Sequence, residues 1–175
     1  MTLSIPELRG TLSGSGKRFG IVASTYNQNV VSLLLEGAVK CLSEHGVAPS
    51  DILVVRVPGA WEIPQALEEL AARGDVDGLI ALGAVIRGDT PHFDFICTGC
   101  THGVDRVAGK YRLPVAFGVL TCDDTQQAED RAGGKDGNKG IEAALAALEM
   151  ASLFERLRAL QTQRAQQPAA ASRPA

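Results

Sequence analysis

Four apolar runs, each followed by a stretch with helical character, constrain this 175-residue chain more than any other feature. They are RFGIVAS (18–24), DILVVRV (51–57), DGLIALGAVI (77–86) and PVAFGVLT (114–121). None alternates polar with apolar in the manner of a strand that keeps one face in water, so each reads as buried on both faces. Parallel strands also need crossovers of a dozen or more residues, and the intervening segments supply them. NQNVVSLLLEGAVKCLSEHG (27–46) has helical periodicity, opens on Asn27 as an N-cap and stops at Gly46. WEIPQALEELAARG (61–74) reads as a helix with Pro64 in its tolerant first turn. A third helix is expected from Phe95 to Arg112, a short one over DDTQQAEDRAG (123–133), and a long one over NKGIEAALAALEMASLFERLRALQ (138–161). The expected architecture is α/β: three layers, with helices on both faces of a mainly four-stranded parallel sheet.

One domain is expected, over residues 18–161. A hydrophobic content of 45% suffices to bury one core at this length. Residues 1–17 are polar and glycine-rich and read as an N-terminal arm with little to bury against its own domain. The stretch TQRAQQPAAASRPA (162–175) is low-complexity and reads as a disordered tail. A net charge of −3 offers no basic face for nucleic acid. No apolar run approaches the roughly 20 residues that span a bilayer, and the N-terminus lacks the order of a signal peptide. A cytoplasmic protein with four reduced cysteines is the expectation.

In open parallel sheets ligands bind beyond the carboxyl ends of the strands. The polar residues of this chain obey that rule: Thr25-Tyr26-Asn27, Pro58 to Glu62, Arg87 to His92 and the loop after Thr121 each follow a strand. Of three histidines, His45 falls at a helix C-terminus, where a cation complements the dipole. His102 falls inside a helix. Only His92 lies on the rim beside a Gly-Asp-Thr turn, and its imidazole suits proton transfer near neutral pH.

Four motifs, VPGAWEIP (57–64), GAVIRGDTPHFDFI (83–96), FGVLT (117–121) and RAGGKDGNKG (131–140), resemble the lumazine synthase family, in order, across about Arg18 to Leu153. The resemblance implies a flavodoxin-like sheet and the penultimate step of riboflavin biosynthesis. In that step 5-amino-6-(D-ribitylamino)uracil condenses with 3,4-dihydroxy-2-butanone 4-phosphate. It further implies no cofactor or metal, a homopentamer with sites between subunits, and riboflavin synthase as a candidate partner. The tight turn GGKDGNKG (133–140) resembles the short form of relatives that close icosahedral shells, and the arm is expected to lie along an adjacent subunit. By the same resemblance Tyr26 stacks on the pyrimidine, where relatives carry Phe or Trp. Glu62, with Ala60 and Trp61, meets the ribityl chain, and Ala84, Val85 and Ile86 complete the uracil side. Phe117 covers the heterocycle from a neighbouring subunit, His92 moves protons, and Gly88, Asp89, Thr90, Arg131 and Lys139 hold phosphate.

The chemistry asks for the same residue types independently. A flat heterocycle wants an aromatic platform, and a phosphorylated ketone wants an anion cradle. Schiff-base formation, phosphate elimination and ring closure want one proton-transfer group and no redox centre. A glycine that admits close backbone approach and successive N–H groups make such a cradle. Arg grips phosphate bidentately and Lys acts as a point charge. Each residue also has a plainer role: Tyr26 as a cover for the core rim, Glu62 as a helix-start charge, Gly88-Asp89 as turn chemistry, Arg131 and Lys139 as solvated cations.

Two decoys fall away. GTLSGSGK (10–17) lacks the glycine and the Ser or Thr of a P-loop, and it precedes the first strand instead of following one. Cys97-Thr98-Gly99-Cys100 has no second ligand pair, so small buried thiols are expected there. Two rivals to catalysis share the fold: a carrier that binds lumazine or riboflavin, and a mainly structural shell protein.

Overall fold

The computed structural model describes residues 5–166, with side chains to residue 163. Four parallel strands form the sheet: β1 (Phe19–Ser24), β2 (Ile52–Val57), β3 (Gly78–Ile86) and β4 (Val115–Cys122), in the order β2-β1-β3-β4. Register is continuous, with Phe19 opposite both Ile52 and Gly78, and Leu79 opposite Val115. β1 is buried throughout and β3 along Gly78–Ala84, as their unbroken apolar sequences require. β2 and β4 are the edges and expose Leu53, Val54 and Phe117.

Helices cover both faces. On one, α1 (Gln28–Glu44) and α5 (Lys139–Gln166) pack Val31, Leu34, Leu42, Ala144 and Leu148 against Phe19, Ile21, Ile80 and Leu82. On the other, α2 (Ile63–Arg73) and α3 (His92–Tyr111) pack Ile63, Leu67, Val104 and Val107 against Val22, Leu79, Ala81 and Val119. Glycine sets the spacing of that second pair: a Cβ on Gly103 of α3 would come within 2.6 Å of the Pro64 ring.

Several elements depart from expectation. α3 begins at His92, three residues before the expected start, because Pro91 fixes a helical φ of −63° and opens the helix directly. Two of its three glycines, Gly99 and Gly103, are sites of close packing, while Gly109 faces open space. Asn27 stands at the start of α1 but in a left-handed conformation (φ 55°), and its side chain makes no cap. Its amide donates to Ala84 O at 2.8 Å, tying the end of β1 to β3. The short helix is confined to α4 (Thr125–Asp130), with Asp124 capping Gln127 N–H. A small antiparallel hairpin, β5 (Ala132–Gly134) and β6 (Gly137–Asn138), occupies what the sequence suggested was a plain turn. α5 continues to Gln166, into the stretch 162–175 for which disorder is expected; residues 167–175 lie outside the described residues.

The arm is the largest correction. It packs on its own domain. Thr11 N–H donates to Ser152 Oγ at 3.1 Å, Gly14 N–H donates to His45 O at 2.8 Å, and Lys17 pairs with Glu155. A Cβ on Gly10 would overlap the Glu149 carbonyl, and one on Gly14 the Val47 side chain. Of the glycines that evoked a phosphate loop, Gly10 and Gly14 let backbone lie flat on α5 and the end of α1, and Gly16 serves a turn at φ 72°. Residues 1–4 lie outside the described residues.

Candidate active site

Strand order reverses between β1 and β3, and a crevice at that switch point is the expected ligand site of a doubly wound sheet. The loops after β1, β2 and β3 meet there. Tyr26 N–H donates to Pro58 O at 3.0 Å, and the Thr25 hydroxyl donates to the same carbonyl at 3.0 Å. These bonds stitch the first loop to the second. Gly59 is the point of closest approach, since a Cβ there would lie 2.9 Å from Tyr26 Cδ2 and 3.3 Å from Glu62 Oε2. The Tyr26 ring and the Glu62 carboxylate therefore flank one residue. Glu62 Oε2 accepts the Gly59 N–H at 2.9 Å, which orients the carboxylate. Tyr26 is 70% exposed, an aromatic face presented to solvent and not a cover for the core.

Ala60 is buried and Trp61 is 54% exposed, both in the 3-10 turn Ala60–Glu62. A Cβ on Gly99 of α3 would overlap the Trp61 ring, so the indole lies directly on that helix. Ala84 is buried at the end of β3, and Val85 and Ile86 are half-buried beyond it. Gly88, Asp89 and Thr90 form an exposed turn that leads into α3, and His92 is the first residue of that helix, also exposed. The open N–H groups of a helix N-terminus thus adjoin the turn, an anion-favouring arrangement. Sequence reasoning missed this, having started the helix at Phe95.

Phe117, Arg131 and Lys139 gather elsewhere. They line a cleft of about 360 Å³ along the free edge of β4, with Thr121, Glu142 and Ala143. Neither Tyr26, Glu62 nor His92 lines that cleft. Both cations have local partners. Arg131 Nη1 donates to Gln127 O at 2.9 Å and pairs with Asp136 at 3.3 Å, and Lys139 pairs with Glu142 at 2.7 Å. The sequence-derived residues fall into two groups, one at the switch point and one at the sheet edge.

The remaining candidates behave as plain chemistry predicts. Burial pushes the Cys100 thiol up to about 11 and also raises Cys97, which keeps both protonated. Among the described residues no His, Cys, Asp and Glu cluster could hold a metal ion. His45 terminates α1, its Nδ1 2.8 Å from Cys41 O, and His102 is exposed on α3. Two contacts at the rim escaped sequence reasoning: the hydrogen bond from Asn27, read as a cap and a rim residue, to Ala84 O, and the pairing of Arg87 with Asp94 and Asp123. For Asn27 the signal was its place directly after a strand end.

Fold and rim together define a flavodoxin-like α/β protein with a polar rim at the carboxyl edge of a four-stranded parallel sheet. Residues 16–155 match the 6,7-dimethyl-8-ribityllumazine synthase family. The chain is also 52% identical over 149 residues to a 6,7-dimethyl-8-ribityllumazine synthase of Aquifex aeolicus (strain VF5), covering 85% of this chain and 97% of the relative. It belongs to that family.

Proposed function

We propose that this chain condenses 5-amino-6-(D-ribitylamino)uracil with 3,4-dihydroxy-2-butanone 4-phosphate, releasing 6,7-dimethyl-8-ribityllumazine, inorganic phosphate and water. One observation carries this: the family match spans residues 16–155, which include the whole rim. The amine of the uracil attacks the ketone to form a Schiff base with loss of water. A proton leaves C3 as phosphate leaves C4, the resulting enol becomes a ketone at C3, and the ribitylamino nitrogen attacks that carbonyl and closes the second ring with loss of a second water. Holding the two reactants together supplies up to roughly 7–11 kcal/mol in well-aligned systems, so few ionisable groups are needed.

In this mechanism Tyr26 offers its exposed face to the pyrimidine, and Ala84, Val85 and Ile86 border the ring. The Glu62 carboxylate accepts ribityl hydroxyls, with the backbone of Ala60 and Trp61 beside it. His92 takes the proton from the attacking amine and returns one later in the sequence. Gly88, Asp89 and Thr90 surround the phosphate together with Arg131 and Lys139, while Phe117 closes over the heterocycle. The separation of Phe117, Arg131 and Lys139 from the switch point supports a site completed by a second copy of the chain. A pentameric ring that assembles into an icosahedral shell fits that need. A cytoplasmic setting accords with four free cysteines, and among the described residues no helix is long and apolar enough to cross a membrane.

Incubating the protein with both substrates and following lumazine absorbance and fluorescence tests the reaction. Product formation that depends on both substrates is expected. Tight binding of lumazine without turnover would favour a carrier instead.

A further inference from the structure

Arg87 is the first residue beyond β3, and its side chain reaches in two directions. Nε donates to Asp123 Oδ1 at 2.9 Å, and Nη1 donates to Asp94 Oδ1 at 3.3 Å. The guanidinium carbon lies 4.1 Å from the centroid of the Phe93 ring. Its backbone N–H donates to Cys122 O at 2.9 Å, which adds a rung to the β3–β4 ladder. Asp123 belongs to the loop after β4, whereas Phe93 and Asp94 directly follow His92 in α3. One side chain therefore spans the turn 88–91 and grips the two residues next to His92.

The turn has little else to hold it. Gly88, Asp89 and Thr90 are exposed and, among the described residues, make no hydrogen bond to another element. Nor is this brace a stability device. The Arg87, Asp94 and Asp123 side chains are 44%, 61% and 69% exposed, and exposed pairs add little to folding. What a planar fork shared by two carboxylates and stacked on a ring does well is fix orientation, and a lysine cannot reproduce it. The hydrogen bond that Arg87 Nε donates to Asp123 further favours the charged guanidinium.

The geometry points to Arg87 as a positioning residue that holds the 88–90 turn and the first turn of α3 so that His92 meets the reacting atoms. This rests on His92 being the proton-transfer group. A displacement of about 1 Å can cost on the order of 100-fold in rate, so the brace matters far more to turnover than to folding.

A double-mutant cycle tests it. Arg87→Ala should lower kcat about 10–100-fold at saturating substrates while sparing the KM for the uracil. In a His92→Ala background the same change should lower kcat less than about twofold, because the group it positions is gone. Full loss in both backgrounds, or no loss in either, overturns the proposal. Exchange of the two hydrogen-bonded amides that flank the turn, residue 87 to Cys122 O and Asp94 to Pro91 O, needs no substrate and should rise at least about tenfold in Arg87→Ala. Unchanged exchange also overturns the brace, whatever the activity. If Arg87→Ala does not fold, Asp94→Asn releases the brace from its other end and is held to the same outcomes. An unaltered chain inactive with both substrates would sink the functional reading instead, while the exchange result still decides the brace.

Discussion

His92 and Arg131 divide the chemistry between them, and their variants should fail differently. His92→Ala is expected to lower turnover about 10²–10⁴-fold with little change in pyrimidine binding, since general acid–base help has that size. Steady-state kinetics against each substrate checks it, and turnover equal to the unaltered chain would remove His92 from the mechanism. Arg131→Ala should raise the KM for the butanone phosphate and spare the uracil. A charge-assisted pair contributes about 1.5–3 kcal/mol. Because Arg131 exchanges an existing contact with Asp136 for the phosphate, the lower end of that range is expected. Equal loss for both substrates would make Arg131 structural. The rim position of His92 was legible in the sequence because it follows β3, and strand ends are where a parallel sheet presents its chemistry; Arg131 ends α4, and only the resemblance pointed to it. Asn27 was less legible, because its left-handed backbone turns the amide away from the helix it begins and towards Ala84. The double grip of Arg87 depends on where Asp123 and Asp94 meet in space, which no local pattern encodes.

Among the elements, the strands emerged almost to the residue: burial on both faces forces the apolar runs of β1 and β3, whereas β2, expected to be buried on both faces, has only Val57 buried and is an uncovered edge. The elements that were misjudged are those in which glycine serves tertiary contact. Gly99 and Gly103 look like helix breakers in a linear reading, yet each marks a place where another group lies against α3. Their alanine variants should therefore separate stability from binding. At Gly103 the obstacle is the Pro64 ring, which cannot swing aside. Overpacking of about 1–3 kcal/mol should outweigh the gain of about 0.5–1 kcal/mol from helix propensity. A lower denaturant midpoint is the expected outcome, and an unchanged or higher one would mean α2 shifts freely. At Gly99 the obstacle is the half-exposed Trp61 ring, which can move. Gly99→Ala should leave the midpoint nearly unchanged and weaken uracil binding, as measured by titration, because Trp61 adjoins Glu62. The arm and the hairpin misled for the same reason. Gly10 and Gly14 look flexible in sequence and are close-packed in the fold. The Ala132–Asn138 hairpin is too short and glycine-rich to show a strand period.

At the scale of the whole molecule two features stand out: the candidate site residues fall in two groups, at the switch point and at the β4 edge, and apolar side chains are left exposed on both sheet edges. Leu53 and Val54 on β2 and Phe117 on β4 are the kind of surface that another chain covers. A cyclic ring that sets the β4 edge of one chain against the switch point of the next would answer both at once. Residues 9–17 of the arm pack on their own α5 and the end of α1, which leaves the sheet edges and their helices as the main uncovered surfaces. Light scattering should then give one discrete large particle, because a closed symmetric assembly repeats a single interface. Mixing variants gives a sharper test. His92→Ala chains keep Arg131, and Arg131→Ala chains keep His92. If each site takes His92 from one chain and Arg131 from its neighbour, mixing equal amounts before assembly leaves about one quarter of the sites with both groups intact. At butanone phosphate well below its KM, activity should therefore rise above that of either variant alone, towards about a quarter of the unaltered protein's. The two variants assembled separately and then combined should show no such rise. If the site were complete within one chain, no mixture could regain activity, and that result would sink the shared site.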